Sequence, residues 1–266
     1  MSINPIFLHI WGPLSIHAYG VFIALGTCIF AMLLFNDEKT KKIISTDELA
    51  TFIQLFILSG YFGGRIWSML SEPEPIDDYL LLLKFWEPGL SVLGGILLIV
   101  ITLSTYAYIK KIPILQLGDR ICLYAPITQA FGRIGCFFAG CCYGKALKSW
   151  WAVTYTHPCH MAPLNQSLHP TQLYSSFLLF SIFLYLFFIA QKKFKKDGMI
   201  FCIYILCVNL ERIVIDFIRD DRTFTSKTGI SSLISINQWL AIFVSIGAIL
   251  CMICITKWTK KTDGSI

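Results

Sequence analysis

Long apolar runs separated by short polar connectors dominate this chain. A helix needs about 20 apolar residues to cross a bilayer's hydrocarbon core. Seven stretches meet that length, at Ile16–Phe35, Leu49–Leu70, Leu90–Tyr108, Ile121–Gly140, Pro170–Ala190, Met199–Arg219 and Gln238–Thr256. The fourth and sixth are the least apolar, because each carries polar groups in its second half. Strict period-2 alternation over successive ten-residue segments is not evident, which argues against a transmembrane barrel. The pattern predicts an all-α integral membrane protein, with residues 1–266 forming a single polytopic domain of seven helices.

The connectors set the orientation. Lys39, Lys41, Lys42, Lys110, Lys111, Lys192, Lys193, Lys195, Lys196, Lys257, Lys260 and Lys261 all fall on one side of the seven spans. The other side holds few basic residues, offset by Glu72, Glu74, Asp77, Asp78 and Glu87. Because Lys and Arg collect in cytoplasmic loops, the N-terminus is expected outside and the C-terminus in the cytoplasm. No basic residue precedes Lys39, so the first span lacks the charged start of a cleavable signal and reads as a permanent helix. The outer connector Lys145–His169 is long and rich in Trp, Pro and His, which marks it as functional or as a cap on the membrane surface.

Composition sharpens this picture by exclusion. Hydrophobic residues make up 56% of the chain and charged residues 14%, against roughly 25% charged in a soluble domain. Mean hydropathy is +0.66. So much apolar and aromatic content excludes disorder. The net charge of +6 comes from short connector clusters rather than a basic face, so no nucleic-acid partner is expected.

With orientation assigned, depth follows at about 1.5 Å per residue. His17 and Tyr19 open the first helix at its outer end, and Arg65 lies near the outer end of the second. Gln129 and Arg133 occupy the outer half of the fourth. His169, Gln172 and Tyr174 enter the fifth, and Glu211, Arg212, Asp216 and Arg219 leave the sixth. Asn237 and Gln238 begin the seventh. The inner half is nearly bare apart from Asp119 and Arg120. Ionisable residues in hydrocarbon cost several kcal/mol unless they face a wet or paired interior, so this shared depth points to a lipid-accessible cavity in the outer half.

Each residue also has a plainer reading. Arg65 and Arg219 are close enough to the interface to snorkel. Arg212 and Asp216, four apart, would neutralise one another on one helical face. Tyr19 and Tyr174 fit an interfacial aromatic belt. Converging arginines nonetheless suit an anionic headgroup, because the guanidinium fork matches phosphate oxygens in pairs. The expected ligand is an anionic phospholipid of the outer leaflet.

Two segments carry a family resemblance, Phe131–Lys145 (FGRIGCFFAGCCYGK) and His169–Ser175 (HPTQLYS). Together they resemble the prolipoprotein diacylglyceryl transferase family, whose signature matches here at Gly132, Arg133, Gly135 and Gly144. His17–Gly20, Gly63–Arg65, Leu117–Asp119 and the run Arg212–Arg219 resemble further motifs of the family in the same order. The resemblance implies transfer of the diacylglyceryl group of phosphatidylglycerol to the cysteine thiol of a preprolipoprotein, on the outer face of the bacterial inner membrane, with glycerol phosphate leaving. It implies phosphate-binding roles for Arg133 and Arg212, a lipid-binding set extending to Arg65, Gly135, Gly144, Gln172, Tyr174, Asp216 and Arg219, and no cofactor.

The chain departs from the family pattern at chemically important positions. Leu93 stands where the third-helix motif has a His thought to act on the thiol. Cys136 replaces an Asn, and Cys141 an acid. The sixth-helix acid is shortened to Asp216, and Val208 takes the place of a Tyr. Phosphate-handling residues are kept while acid–base residues change, which leaves the acceptor open between a preprolipoprotein and another extracytoplasmic nucleophile.

Cys136, Cys141, Cys142 and Cys159 lie at or beyond the outer end of the fourth helix, with His157, His160 and His169 nearby in sequence. Three readings compete. A disulfide suits an oxidising compartment. A metal site needs convergent ligands, and Cys-Xaa4-Cys-Cys is not a usual zinc spacing, so no metal ligand is assigned. A thiolate activated by Arg133 or a His is the third. His169 precedes Pro170, a residue suited to a helix's first position, which places its ring at the cavity mouth. The catalytic candidates are therefore His169 as general base, Cys141 as nucleophile, and Cys136, Tyr19 and His17 in support.

The leading expectation is diacylglyceryl transfer to a thiol or another acceptor. The alternatives are transfer of the glycerol phosphate headgroup to a periplasmic acceptor, and a non-catalytic lipid-binding or transport protein. Transport predicts polar residues on both sides of the midplane, and the inner half is poor in them. The orientation is checked by labelling: a cysteine in place of Lys193 should be shielded from an impermeant thiol reagent, while one in place of Lys148 should react. The opposite pattern would overturn the depth assignments.

Overall fold

The structure, a computed structural model, describes residues 4–11, 14–71, 82–83, 91–221 and 234–263. It opens with two short strands, β1 (Ile6–Trp11) and β2 (Leu14–His17), that pair as a two-stranded sheet. The helices follow as α1 (Ala18–Asn36), α2 (Glu38–Ile43), α3 (Thr46–Ser71), α4 (Val92–Ile109) and α5 (Ile114–Ala139). Strands β3 (Val153–Thr154) and β4 (Ser167–Leu168) pair antiparallel, Val153 opposite Leu168. Then come α6 (Thr171–Tyr185), a π-helical turn at Leu186–Ala190, α7 (Gln191–Lys193), α8 (Met199–Ile218) and α9 (Ile236–Asp263).

Five helical stretches are long and apolar enough to cross a membrane, at Ala18–Asn36, Thr46–Ser71, Ile114–Ala139, Thr171–Lys193 and Ile236–Lys257, with Leu93–Ile109 a shorter apolar helix. Their outward faces are apolar: Phe177 is 72% exposed and Phe243 64%. An aqueous surface would not favour that display, whereas lipid does. The chain is a multi-pass membrane protein.

Local sequence explains where helices begin. Asp37 caps α2 by accepting from the Lys39 amide at 3.3 Å and the Thr40 hydroxyl at 2.6 Å. Ser45 and Glu48 form a reciprocal capping box at the start of α3, the Ser-Xaa-Xaa-Glu pattern that satisfies orphan amides. The structure corrects one sequence boundary, since α5 begins at Ile114 rather than near Ile121. Gln116, Asp119 and Arg120 lower the local hydropathy without breaking the helix. The Asp119 carboxylate accepts the Gly198 and Phe201 amides at 2.8 and 2.7 Å, capping the positive N-terminus of α8.

Contacts divide the chain into two compact units: residues 1–10, 16–34 and 118–266, and residues 11–15 and 35–117. In the second unit α3 and α4 cross at glycines. A Cβ on Gly94 would lie 2.1 Å from the Trp67 Cβ, and one on Gly63 would lie 2.5 Å from the Gly94 carbonyl oxygen. The Ser91 amide donates to the Gly64 carbonyl at 3.0 Å. Small residues allow such backbone approach in a membrane, where packing rather than the hydrophobic effect drives helix association. Arg65 and Leu93 belong to this unit; Arg65 is buried in α3 and Leu93 is exposed in the first turn of α4.

In the first unit Gly26 of α1 abuts α5, its absent Cβ position lying 2.8 Å from the Phe131 Cβ, and the Thr128 hydroxyl donates to the Gly26 carbonyl at 3.2 Å. Helix α9 starts with a Ser235–Gln238 capping box. Replacing Gly94 with Ala should destabilise the protein by about 1–3 kcal/mol through overpacking. Gly247→Ala, where no atom lies within 4 Å of the added Cβ, should not. Thermal unfolding of the two variants in detergent checks this.

Candidate functional site

Helix α5 ends at Ala139, and the next residue, Gly140, takes φ +72°, the left-handed conformation that terminates helices. Its absent side chain also leaves room for His160, whose Cβ lies 2.9 Å from the position a Cβ would take. Cys142 is left-handed as well, at φ 57°. Two such residues within three turn the chain back over the helix it has just left. The Sγ atoms of Cys136, Cys141 and Cys142 thereby converge within 4.8 Å of one another, and the Cys141 thiol donates to the Cys136 carbonyl at 3.8 Å.

The reversal is pinned from the start of α6. The Thr171 hydroxyl donates to the Cys142 carbonyl at 2.7 Å, and the Gln172 amide to the Cys141 carbonyl at 2.7 Å. Both side chains are buried. The Gln172 amide reaches the Tyr155 hydroxyl too, at 3.3 Å, and that hydroxyl donates to the Phe137 carbonyl. Tyr155, Ala162 and Leu168 form a small core within the 145–169 connector, which is thus folded. Burial raises the Tyr155 pKa, keeping it a neutral donor, and burial lowers that of His160.

Gly144 lies at the centre of a backbone crossing. Its amide donates to the His169 carbonyl at 3.1 Å, and the His169 amide to the Lys145 carbonyl at 3.0 Å. On its other side it bridges Arg219. A Cβ there would meet the His169 Cβ at 2.6 Å. Gly135 is close-packed too, less severely, against Tyr19 at 3.1 Å. Both glycines permit close backbone approach, which is what the structure offers for two positions the sequence assigned to lipid binding.

Charge converges on the same reversal. Arg133 and Arg219 lie within electrostatic reach of Cys142, and both lie within reach of Arg212, which also feels Asp216 and Cys142. Tyr19 feels all three thiols and Arg133. The Cys142 thiol is driven below its ordinary pKa, first by the neighbouring Cys136 and Cys141 thiols and then by Arg219 and Arg133, against the penalty of burial. Arg219 is buried and holds Asp221 through a two-point ion pair at 2.8 and 2.7 Å. Its remaining nitrogen, Nη1, is buried without a hydrogen-bond partner among the described residues.

Other residues take different places. The buried Asp216 carboxylate accepts the Ser235 hydroxyl at 2.5 Å, tying α8 to the start of α9. His169 is half-buried, with Nδ1 3.4 Å from the Tyr174 hydroxyl, and Trp151 donates to that hydroxyl at 3.0 Å. His17 is exposed at the end of β2. Sequence reasoning left out Thr171 and Glu211 as site residues. Glu211 is buried and accepts the Ser175 hydroxyl; its position beside Arg212 on α8 was the available signal. Cys142, on which both Arg219 and Arg133 act, is a further thiol of the site.

A family model for prolipoprotein diacylglyceryl transferase matches residues 5–254. The chain belongs to the prolipoprotein diacylglyceryl transferase family. It is 31% identical over 91% of its length to the phosphatidylglycerol–prolipoprotein diacylglyceryl transferase of Clostridium tetani (strain Massachusetts / E88), covering 94% of that protein. It is also 31% identical to phosphatidylglycerol–prolipoprotein diacylglyceryl transferase 2 of Clostridium perfringens (strain 13 / Type A), over 89% of this chain and 90% of the relative. The transferase of Idiomarina loihiensis (strain ATCC BAA-735 / DSM 15497 / L2-TR) matches at 31% over 95% and 93%. This protein is therefore a membrane-embedded transferase.

The pins on the transferase's chain reversal are testable. Thr171→Val preserves shape but strands the Cys142 carbonyl, and an unsatisfied buried acceptor costs about 1–3 kcal/mol. The variant should melt earlier, and its thiols should react faster with a maleimide than those of the parent. Unchanged melting and labelling would show that the pin is dispensable.

Proposed function

We propose that this chain transfers the diacylglyceryl group of phosphatidylglycerol to the cysteine thiol of a prolipoprotein, at the outer face of the bacterial inner membrane. The relatives named for that reaction support the substrates. The observation that carries the reading for this chain is that Arg133 and Arg219 lie within electrostatic reach of both Arg212 and Cys142, beside one chain reversal. Three guanidiniums at one site repel one another, and an anion between them relieves that repulsion. A phosphodiester headgroup is such an anion.

The chemistry asks for two things. The phosphate must be stabilised as the bond between it and the glycerol carbon breaks, and the acceptor sulfur must be deprotonated and aimed at that carbon. Arg133 and Arg212 hold the phosphate oxygens, and the free Nη1 of Arg219 offers a further donor while Asp221 keeps that guanidinium oriented. The lipid's acyl chains lie along the apolar helices, with Gln172, Tyr174 and Asp216 as further contacts of the lipid-binding region. His169, held beside the reversal through Gly144, takes the thiol proton as general base, with Tyr19 in the first turn of α1 and His17 at the end of β2 assisting. The sulfur attacks the carbon, the C–O electron pair leaves with the phosphate, and glycerol phosphate departs.

Arg133→Lys and Arg212→Lys keep the charge and lose the fork, so turnover should fall on the order of 10²-fold, as when one preorganised donor is removed, while membrane insertion is retained. His169→Ala should cost about 10²–10⁴-fold, the usual weight of a positioned base. Transfer from labelled phosphatidylglycerol to a lipoprotein peptide measures all three. Full activity in both Arg variants would refute the phosphate assignment.

A further inference from the structure

The Cys136, Cys141 and Cys142 thiols form a ligand face that the arginine site does not use. We propose that they bind one Zn²⁺ ion whose fourth coordination position receives the acceptor thiol. This rests on the thiol-acceptor reading above and deepens it by assigning how that thiol is activated.

The geometry suits the ion. Thiolates bound to zinc at about 2.3 Å in a tetrahedron lie about 3.8 Å from one another. The three Sγ atoms already lie within 4.8 Å of one another, so modest side-chain rotation closes the set. A disulfide needs two sulfurs and would leave the third unused; three that converge present one triangular face. The spacing looked unlike a zinc motif because sequence counts residues, whereas the left-handed turns at Gly140 and Cys142 fold the interval back on itself. The ligand-bearing backbone is held by Thr171 and Gln172, the kind of outer support that fixes metal ligands in place.

Soft thiolate ligands select zinc or copper(I) over harder cations. Among the described residues no fourth His, Cys, Asp or Glu joins the three within the same reach. A zinc site with three protein ligands and an open position is the catalytic rather than the structural arrangement. Charge is balanced as well. Three thiolates give the bound ion a net charge of −1, and an added acceptor thiolate makes it −2, beside Arg133 and Arg219.

Assembly of the site releases the three cysteine protons to water. The acceptor R–SH then binds zinc through sulfur, and a thiol bound to zinc is deprotonated; its proton passes to His169 and on to water. The bound sulfur forms a bond to the glycerol carbon as the carbon–oxygen bond to phosphate breaks. The electron pair of that bond departs on glycerol phosphate held by the arginines, and nothing is oxidised or reduced.

The test uses the full-length protein purified in detergent under reducing conditions. Zinc is quantified by mass spectrometry, and Co²⁺ replaces it as a spectroscopic probe. One zinc per chain, lost in Cys136→Ser, Cys141→Ser and Cys142→Ser and kept in Cys159→Ser, is the expected result. A cysteine-containing lipoprotein peptide should alter the sulfur-to-cobalt charge-transfer band, and its serine analogue should not. Chelation should lower transfer on the order of 10²-fold, and added zinc should restore it.

Absence of zinc from the reduced protein at micromolar free metal would overturn the site, as would its retention in all three variants, a disulfide among the three thiols as isolated, or copper(I) in zinc's place. If transfer from phosphatidylglycerol persists in any of those cases, the transferase reading stands without the metal. Zinc with a peptide-dependent cobalt spectrum but no diacylglyceryl transfer would uphold the site and refute the proposed donor reaction.

Discussion

Hydrocarbon offers no hydrogen-bond partners, so each polar group that enters the membrane must find one within the protein. The end of α5 shows how the described residues meet such a demand. Two left-handed residues break the helix there and expose carbonyls that a longer helix would have used. Thr171 and Gln172 at the start of α6 take up those carbonyls, and the crossing at Gly144 takes up the backbone that follows. Because the groups that satisfy the reversal come from α6 and from the strand-like segment near Arg219, the same bonds that stabilise the turn also position His169 and Arg219. Structure and site are held by one set of contacts.

The arginines illustrate the opposite tendency. A folded protein avoids placing like charges together, yet Arg133, Arg212 and Arg219 feel one another across α5 and α8. Asp221 engages Arg219, and Asp216 lies within reach of Arg212, although one of its oxygens is committed to Ser235. The remaining positive potential stays at the edge of the thiol cluster, where it favours anions: a phosphate, a thiolate, or a metal–thiolate centre. Local rules of pairing are incompletely met there, as is expected where binding energy is held in reserve for a ligand.

Much was legible from sequence because the relevant signals are local. The basic connectors and the apolar lengths follow from counting along the chain. Other assignments carried different weight once packing was known. Asp216 acts on Arg212 four residues away, as the sequence suggested, and its carboxylate also accepts Ser235, nineteen residues on, which the sequence did not show. Gly135 and Gly144 matched a signature attached to lipid binding, and their tight surroundings show that a side chain at either would collide with Tyr19 or His169.

The sequence alone determined the membrane class, the helical segments and the family, because hydropathy, helix length and motif order are properties of a chain read in one dimension. Tertiary structure decided which groups meet. Nothing local in Cys-Xaa4-Cys-Cys requires three sulfurs to face one point; that follows from backbone turns at Gly140 and Cys142 held in place by residues 29 and 31 positions further along. Likewise the Asp119 carboxylate in α5 accepts the amides at the start of α8, a partner 79 residues away that only the folded chain brings to it. Partners at such separation are chosen by packing, and packing is a property of the folded chain.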